Sequence, residues 1–149
     1  MWHGLRYSSL CILAAALSAC ALPTWPLRGP LTSPFGVRWR SWLPEMHTGV
    51  DIGVPNGTPV RAMASGMVRF AGDLGAYGRV VILDHRGGWS TLYAHLSEIH
   101  VRLGERVGGG TTVGLSGQTG NATAPHLHFE TVAGSRPRDP VPLLGGPPR

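Results

Sequence analysis

The sequence predicts an all-β domain, and three observations carry that expectation. Its 149 residues include 22 glycines and 13 prolines, a density that favours many turns and short strands over long helices. Between those turn residues stand short runs rich in Val, Ile, Leu and aromatics. No stretch sustains a helical apolar period over three turns. A chain of this length holds one domain with a real core.

The expected strands, in order, are Arg61 to Met63, Gly66 to Ala71, Arg79 to Asp84, Ser90 to His95 and Thr112 to Leu115. VVILD and WSTLYAH are separated by His85-Arg86-Gly87-Gly88, a hairpin signal. A single helical turn is expected near Leu96 to Ile99. Gly104 to Gly117, GERVGGGTTVGLSG, sets glycines at turns between short strands. Similar runs occur in barrel-sandwich hybrids, the fold of biotinyl and lipoyl carrier domains. Such carriers attach their cofactor to a lysine, and all 13 basic residues here are arginine. The carrier function is excluded on that fact.

The N-terminus stands apart from the fold. One arginine lies in Met1 to Tyr7, and Ser8 to Ala19 is a short apolar stretch, SSLCILAAALSA. Residues 1–19 therefore read as a secretory signal peptide, too short for a permanent membrane span. Leu17-Ser18-Ala19-Cys20 resembles the lipobox of bacterial lipoproteins, where the cysteine is lipidated and becomes the first mature residue. Cys11 then leaves with the signal and Cys20 carries lipid, so no disulfide is expected although the compartment permits one. Ala21 stands where an aspartate would signal inner-membrane retention in an enteric-type sorting scheme. Residues 20–31 are proline-rich without a period and read as a short tether; residues 32–149 read as the domain with a short C-terminal tail. No inhibitory prodomain or coiled coil is expected ahead of it. The net charge of +5 is scattered, which gives weak attraction to polyanions and no nucleic-acid signature.

Two clusters carry chemistry. In Pro125 to Glu130, PHLHFE, a strand would turn His126, His128 and Glu130 to one face and Leu127 and Phe129 to a core. That is either a site or a polar strand face turned to water. In HTGVD, His47 and Asp51 share a face, while Gly49, Gly53 and Pro55 argue against a helix. That pair is a metal half-site or simply a hydrogen bond. Together the clusters supply nitrogen and oxygen donors of the kind zinc prefers. His95 ends an expected strand, and His85 and His100 are expected at the surface.

The order SPFGVR (Ser33 to Arg38), HTGVD (His47 to Asp51), NGTPVRAMASGMV (Asn56 to Val68), YGRVVILDH (Tyr77 to His85), TLYAHL (Thr91 to Leu96), GERVGGGTTVGLSGQTG and PHLHFE resembles the M23 peptidases. These are the LytM and lysostaphin-type zinc endopeptidases of bacterial cell walls. The resemblance runs from about Ser33 to Pro140. It implies an antiparallel β domain with long loops around a groove and one zinc ion per chain. His47, Asp51 and His128 fall on the family's metal ligands, and His95 and His126 on its non-ligand catalytic pair. Glu130 is a candidate partner for a ring N–H, or for an arginine. Ala124 stands where the family often has glycine, which would narrow the cleft wall slightly.

The chemistry follows from that set. Three protein ligands leave a fourth zinc position open, the mark of a catalytic site. The implied activity is hydrolysis of peptide cross-links in peptidoglycan by a monomer. The lipobox adds a membrane attachment, expected on the periplasmic face of an outer membrane, with a lipid-anchored protein of a Gram-positive envelope as the alternative. The competing expectation is a non-catalytic relative that binds and activates cell-wall amidases. Such regulators usually lack one or more ligands, whereas all five residues stand here.

Overall fold

Alternation of apolar and polar residues builds the centre of the molecule. The computed structural model describes residues 22–40 and 42–149. The expected signal peptide and Cys20 lie outside the described residues. Strands β1 (Leu31–Ser33), β2 (Gly36–Arg40), β3 (Leu43–His47) and β4 (Val50–Gly53) come first. Then follow β5 (Pro59–Arg61), β6 (Gly66–Asp73) and a 3-10 turn at Gly75–Tyr77. Next are β7 (Arg79–Asp84), β8 (Trp89–Leu96), β9 (Glu98–Ile99), β10 (Arg106–Val107) and β11 (Thr112–Leu115). The chain ends with β12 (His126–Ala133), β13 (Arg136–Arg138) and one helical turn, α1 (Pro140–Leu143).

The main sheet runs β1-β4-β12-β8-β7-β6-β10, with every pair antiparallel. β8 pairs along β12 from His128 to Ala133, so β4 and β13 share the opposite edge of β12. A three-stranded sheet, β5-β11-β9, and a separate hairpin, β2-β3, complete the fold. The core lies under one face of the main sheet. Val50, Ile52, Leu83, Tyr93, Leu127 and Phe129 are fully buried there. On the other face a smaller cluster joins Val80, Leu92 and Ala94.

β7 and β11 stand at the expected bounds, and β7–β8 is the expected hairpin around His85 to Gly88. Elsewhere the structure differs. The strand expected at Arg61 to Met63 lies two residues earlier, at Pro59–Arg61. Leu96 to Ile99 makes no helical turn: β9 pairs with β11, and sheet pairing overrides the local preference. The described part of the expected tether is docked on the domain. Leu27 is buried in the core, Trp25 packs against it, and the Trp25 indole N–H donates to the Gly146 carbonyl at 2.9 Å. The expected tail docks likewise, through Val141 and Leu144.

Candidate metal centre and cleft

β4 and β12 place Asp51 directly opposite His128. Their neighbours Val50, Ile52, Leu127 and Phe129 turn to the core, so alternation alone brings the carboxylate and the imidazole to one face. His47 ends β3, and Thr48 and Gly49 carry the chain from it into β4. A Cβ at Gly49 would run into the Phe129 carbonyl oxygen, so only glycine lets this segment lie against β12.

His47 Nε2 lies 3.2 Å from Asp51 Oδ1 and 3.1 Å from His128 Nδ1. His128 Nδ1 is 2.8 Å from the same Asp51 oxygen. One donor atom from each of the three residues lies within 4.8 Å of the others. The outward ring nitrogens have acceptors: His47 Nδ1–H donates to the Pro34 carbonyl at 2.7 Å, and His128 Nε2–H donates to Glu130 Oε1 at 3.0 Å. A carbonyl and a carboxylate only accept, so these partners assign each ring its proton. Bare lone pairs are left on His47 Nε2 and His128 Nδ1, beside a carboxylate. With the protons on those outward nitrogens, three acceptors converge, and only an added proton or a cation can satisfy them. Buried groups so arranged demand positive charge. The set fits a metal ion, and its nitrogen and oxygen donors suit zinc.

The electrostatics agree. Burial pushes the Asp51 carboxyl up, but hydrogen bonds and charge from His128 and His47 outweigh it and hold the group well below the carboxylate range. Burial pushes the His128 imidazole down, and Asp51 and Glu130 outweigh that and raise it. Positive charge is therefore favoured between these residues. Arg38 adds to it from the β2-β3 hairpin, with its guanidinium 3.7 Å from Asp51 Oδ2.

His126 and His95 stand beside this group. Alternation along β12 puts His126 on the same face, with Nε2 3.7 Å from Asp51 Oδ1. His95 arrives differently. Across β7 and β8, Val81 pairs with Tyr93 and Arg79 with Leu96, so Ala94 and His95 together oppose Val80. This is a β-bulge, and His95 takes φ 58, the one positive φ at a non-glycine among the described residues. The bulge turns its ring toward the site and returns Leu96 to the core. His95 Nδ1–H donates to the Thr119 carbonyl and His126 Nδ1–H to the Ala124 carbonyl, each at 2.8 Å. Each ring keeps Nε2 as an acceptor. Burial, with the charges of His126 and His128, lowers the His95 pKa and favours its neutral form.

Glu130 completes the set. Its Oε1 accepts from His128, from the Thr48 hydroxyl at 2.6 Å and from the Tyr77 hydroxyl at 2.9 Å. The ring N–H, and not an arginine, is its partner in these bonds. Burial raises this carboxyl and the three donors outweigh it, so it stays charged. Tyr77 stands in YGRVVILDH and Thr48 in HTGVD, but no spacing in the sequence connects either to Glu130, 53 and 82 residues away. A cleft of about 360 Å³ opens over the centre, with Arg38, Tyr77, His95, Asn121 and Thr123 among its walls. Ala124 is not in that lining; its carbonyl orients His126. His85 is half-buried against the Ser65 carbonyl and Thr91, and His100 is exposed beside Glu98; neither joins the site.

Residues 45–140 match the model of Peptidase family M23. DD-carboxypeptidase/endopeptidase Mpg of Neisseria meningitidis is 45% identical over 113 residues, covering 74% of this chain and 26% of that protein. This chain thus spans about a quarter of that relative's length. Among solved structures, the catalytic domain of lysostaphin from Staphylococcus simulans superposes with a TM-score of 0.68 at 35% identity, over 80% of this chain and 92% of that one. A zinc containing peptidase from Vibrio cholerae gives 0.73 at 30% identity, over 85% of this chain and 39% of that one. With the family match spanning more than half its length, the chain belongs to peptidase family M23.

Proposed function

We propose that the protein is a zinc-dependent endopeptidase that hydrolyses peptide cross-links of bacterial peptidoglycan. His47, Asp51 and His128 are assigned as ligands of one zinc ion per chain, and His95 and His126 as the catalytic pair. One observation carries the reading: with the protons on the outward ring nitrogens, three acceptors converge next to two imidazoles whose Nε2 atoms are left free. The names of relatives support it, since one is a DD-carboxypeptidase/endopeptidase and another a zinc containing peptidase.

Zinc, when bound, supplies a Lewis acid that polarises a carbonyl and acidifies water. The chain supplies proton transfer and orientation. Thr119 and Ala124 hold His95 and His126 by their Nδ1–H groups, so each presents Nε2 to the cleft. A neutral imidazole takes the proton of the attacking water; the other, protonated, donates to the developing oxyanion or the departing amine. Glu130 fixes His128 in the tautomer whose Nδ1 is bare.

The protein is assigned to the cell envelope, attached by lipid on Cys20 at the periplasmic face of the outer membrane. Cys20→Ala should abolish labelling with palmitate, and unlabelled wild-type protein in the soluble fraction would remove this assignment. Purified sacculi test the activity. The full chain should release new muropeptides, stop on chelation and resume when zinc is restored. Stoichiometric zinc with no cleavage, but with stimulation of an added amidase, would replace the enzyme by the regulator reading.

A further inference from the structure

Ten large hydrophobic side chains are exposed among the described residues, and five of them lie within residues 37–46. This segment is the hairpin β2-β3, whose strands pair only with each other. Its register sets Val37 opposite Met46 and Trp39 opposite Pro44, which puts four side chains on one face. Arg38 opposite Glu45 and Gly36 opposite His47 form the other face. That second face is the wall of the cleft: Arg38, Glu45 and His47 line it. The first face is open to water. Val37 and Trp39 are each 69% exposed and Met46 50%; at the tip Trp42, between the strands, is 79% exposed, and Leu43, opposite Arg40 on the second face, is 54% exposed. Apolar surface so concentrated marks an interaction site.

We propose that the outer face and the tip of this hairpin, which carry Trp39 and Trp42, dock the glycan strand of peptidoglycan while the stem peptide lies in the cleft. The inference rests on the peptidase reading above. Stem peptides are bonded to the glycan, so a peptide entering over this wall brings its sugar strand alongside. One hairpin therefore offers a polar face to the peptide and an apolar face to the polymer that carries it. Met46 belongs to both, being part of the exposed patch and of the cleft lining. Sugar rings present flat C–H faces with hydroxyl rims. Indole rings, apolar on the face and polar at the N–H, match that surface.

The shape selects against protein occupants. A two-stranded face with side chains about 7 Å apart along the strand is a platform and not a groove for a helix. The four side chains of this face, with Trp42 at the tip, fall well short of the roughly 20–30 residues per side of a stable protein interface. A flat lipid surface is the other occupant such a platform could meet, and the vesicle measurement below separates it from glycan.

The test uses Trp39→Ala, Trp42→Ala and the double variant of the full chain, with Trp39→Phe as the conservative control. The probe is purified glycan strands stripped of stem peptides and immobilised on a sensor surface. The wild type should bind, each alanine variant should bind about tenfold more weakly, and Trp39→Phe should retain most of the affinity. KM for sacculi should rise in step, while a soluble cross-linked peptide dimer without sugar is cut at the wild-type rate. Zinc content and thermal melting check the fold of each variant. The proposal is overturned if the wild type does not bind the strands, or if the double variant binds as well as the wild type. It is equally overturned if the tryptophans prove to be needed for dimerisation or for binding phosphatidylethanolamine–phosphatidylglycerol vesicles and not for glycan. If the wild type cuts neither sacculi nor the dimer, the peptidase reading fails, and the binding measurement still decides this surface.

Discussion

His95 brings its ring within 4.7 Å of the His126 ring, centroid to centroid, from a strand position that alternation would turn into the core. The bulge opposite Val80 and the positive φ at His95 make the difference. A non-glycine residue in that backbone region costs of order 1–3 kcal/mol and persists where surrounding contacts enforce it. Here the Thr119 carbonyl and the return of Leu96 to the core enforce it.

The proposed roles separate catalyst from ligand. Neither His95 nor His126 belongs to the group whose donor atoms converge. His95→Ala and His126→Ala should keep near-wild-type zinc while hydrolysis of sacculi falls by about two to four orders of magnitude. Zinc analysis of the purified variants decides the point. Loss of zinc from His126→Ala would reverse the assignment of the two histidines in PHLHFE.

Asp51 is the contact shared by His47 and His128. Asp51→Ala leaves two imidazoles and removes the charge that draws a cation between them. The variant should lose zinc on dialysis that the wild type retains, with circular dichroism showing the sheet intact. Stoichiometric zinc in this variant would refute the ligand set.

Glu130→Gln tests the orientation of His128. The amide keeps an acceptor but loses the charge that receives three donors. Zinc affinity, read by competition with a chelator, should fall about 10–100-fold. Nitrogen NMR should show the His128 tautomer mixed, where the wild type holds one. An unchanged affinity would reduce Glu130 to a structural residue.

The centre was legible where the period of two governs. Alternation in PHLHFE assigns His126, His128 and Glu130 to one face with no knowledge of the fold. It fails at His95, because a bulge depends on the register against β7. Thr48 and Tyr77 meet Glu130 from distant segments, and backbone carbonyls such as Pro34 leave no mark in a residue pattern. The hairpin β2-β3 escaped because its outer face is exposed and only His47 of LPEMH is buried, so no core-facing alternation marks it. Composition misled at Trp25 to Leu27. Proline reports what a backbone cannot do, not what its neighbours will pack against.

Tyr93 offers a pH test far from the cleft. Burial pushes its phenol up to about 12 from the ordinary 10.0, against hydrogen bonds from the Met63 N–H and the Thr91 hydroxyl that favour ionisation. The folded state thus favours the neutral phenol. Its contribution is complete below pH 10 and is lost as pH rises toward about 12, an effect of roughly 3 kcal/mol. Denaturant unfolding at pH 9, 10, 11 and 12 should show that decline. Tyr93→Phe should be less stable at neutral pH, since two donors lose their acceptor, but should decline less between pH 10 and 12. An identical decline in both proteins would rule out the tyrosine as its source.

The segment expected as a tether supplies the last prediction. Leu27 is only 7% exposed and lies in the same core as Ile52 and Phe129, while Trp25 packs 6.1 Å from the Phe129 ring. Backbone bonds from Thr24 N–H to Met63 and from Arg61 N–H to Pro26 fasten the segment on both sides of Trp25. A free tether contributes nothing to stability, so Leu27→Ala would then be silent. A core leucine costs about 2–5 kcal/mol when cut back to alanine. Leu27→Ala should lower stability by that amount, and limited proteolysis should spare residues 24–31 in the wild type while opening them in the variant. Docking also shortens the reach from the proposed lipid. From Cys20 to Thr24 the chain spans at most about 14 Å, which holds the domain close to any membrane that anchors it. Unchanged stability in Leu27→Ala, with ready cleavage of this segment in the wild type, would restore the tether.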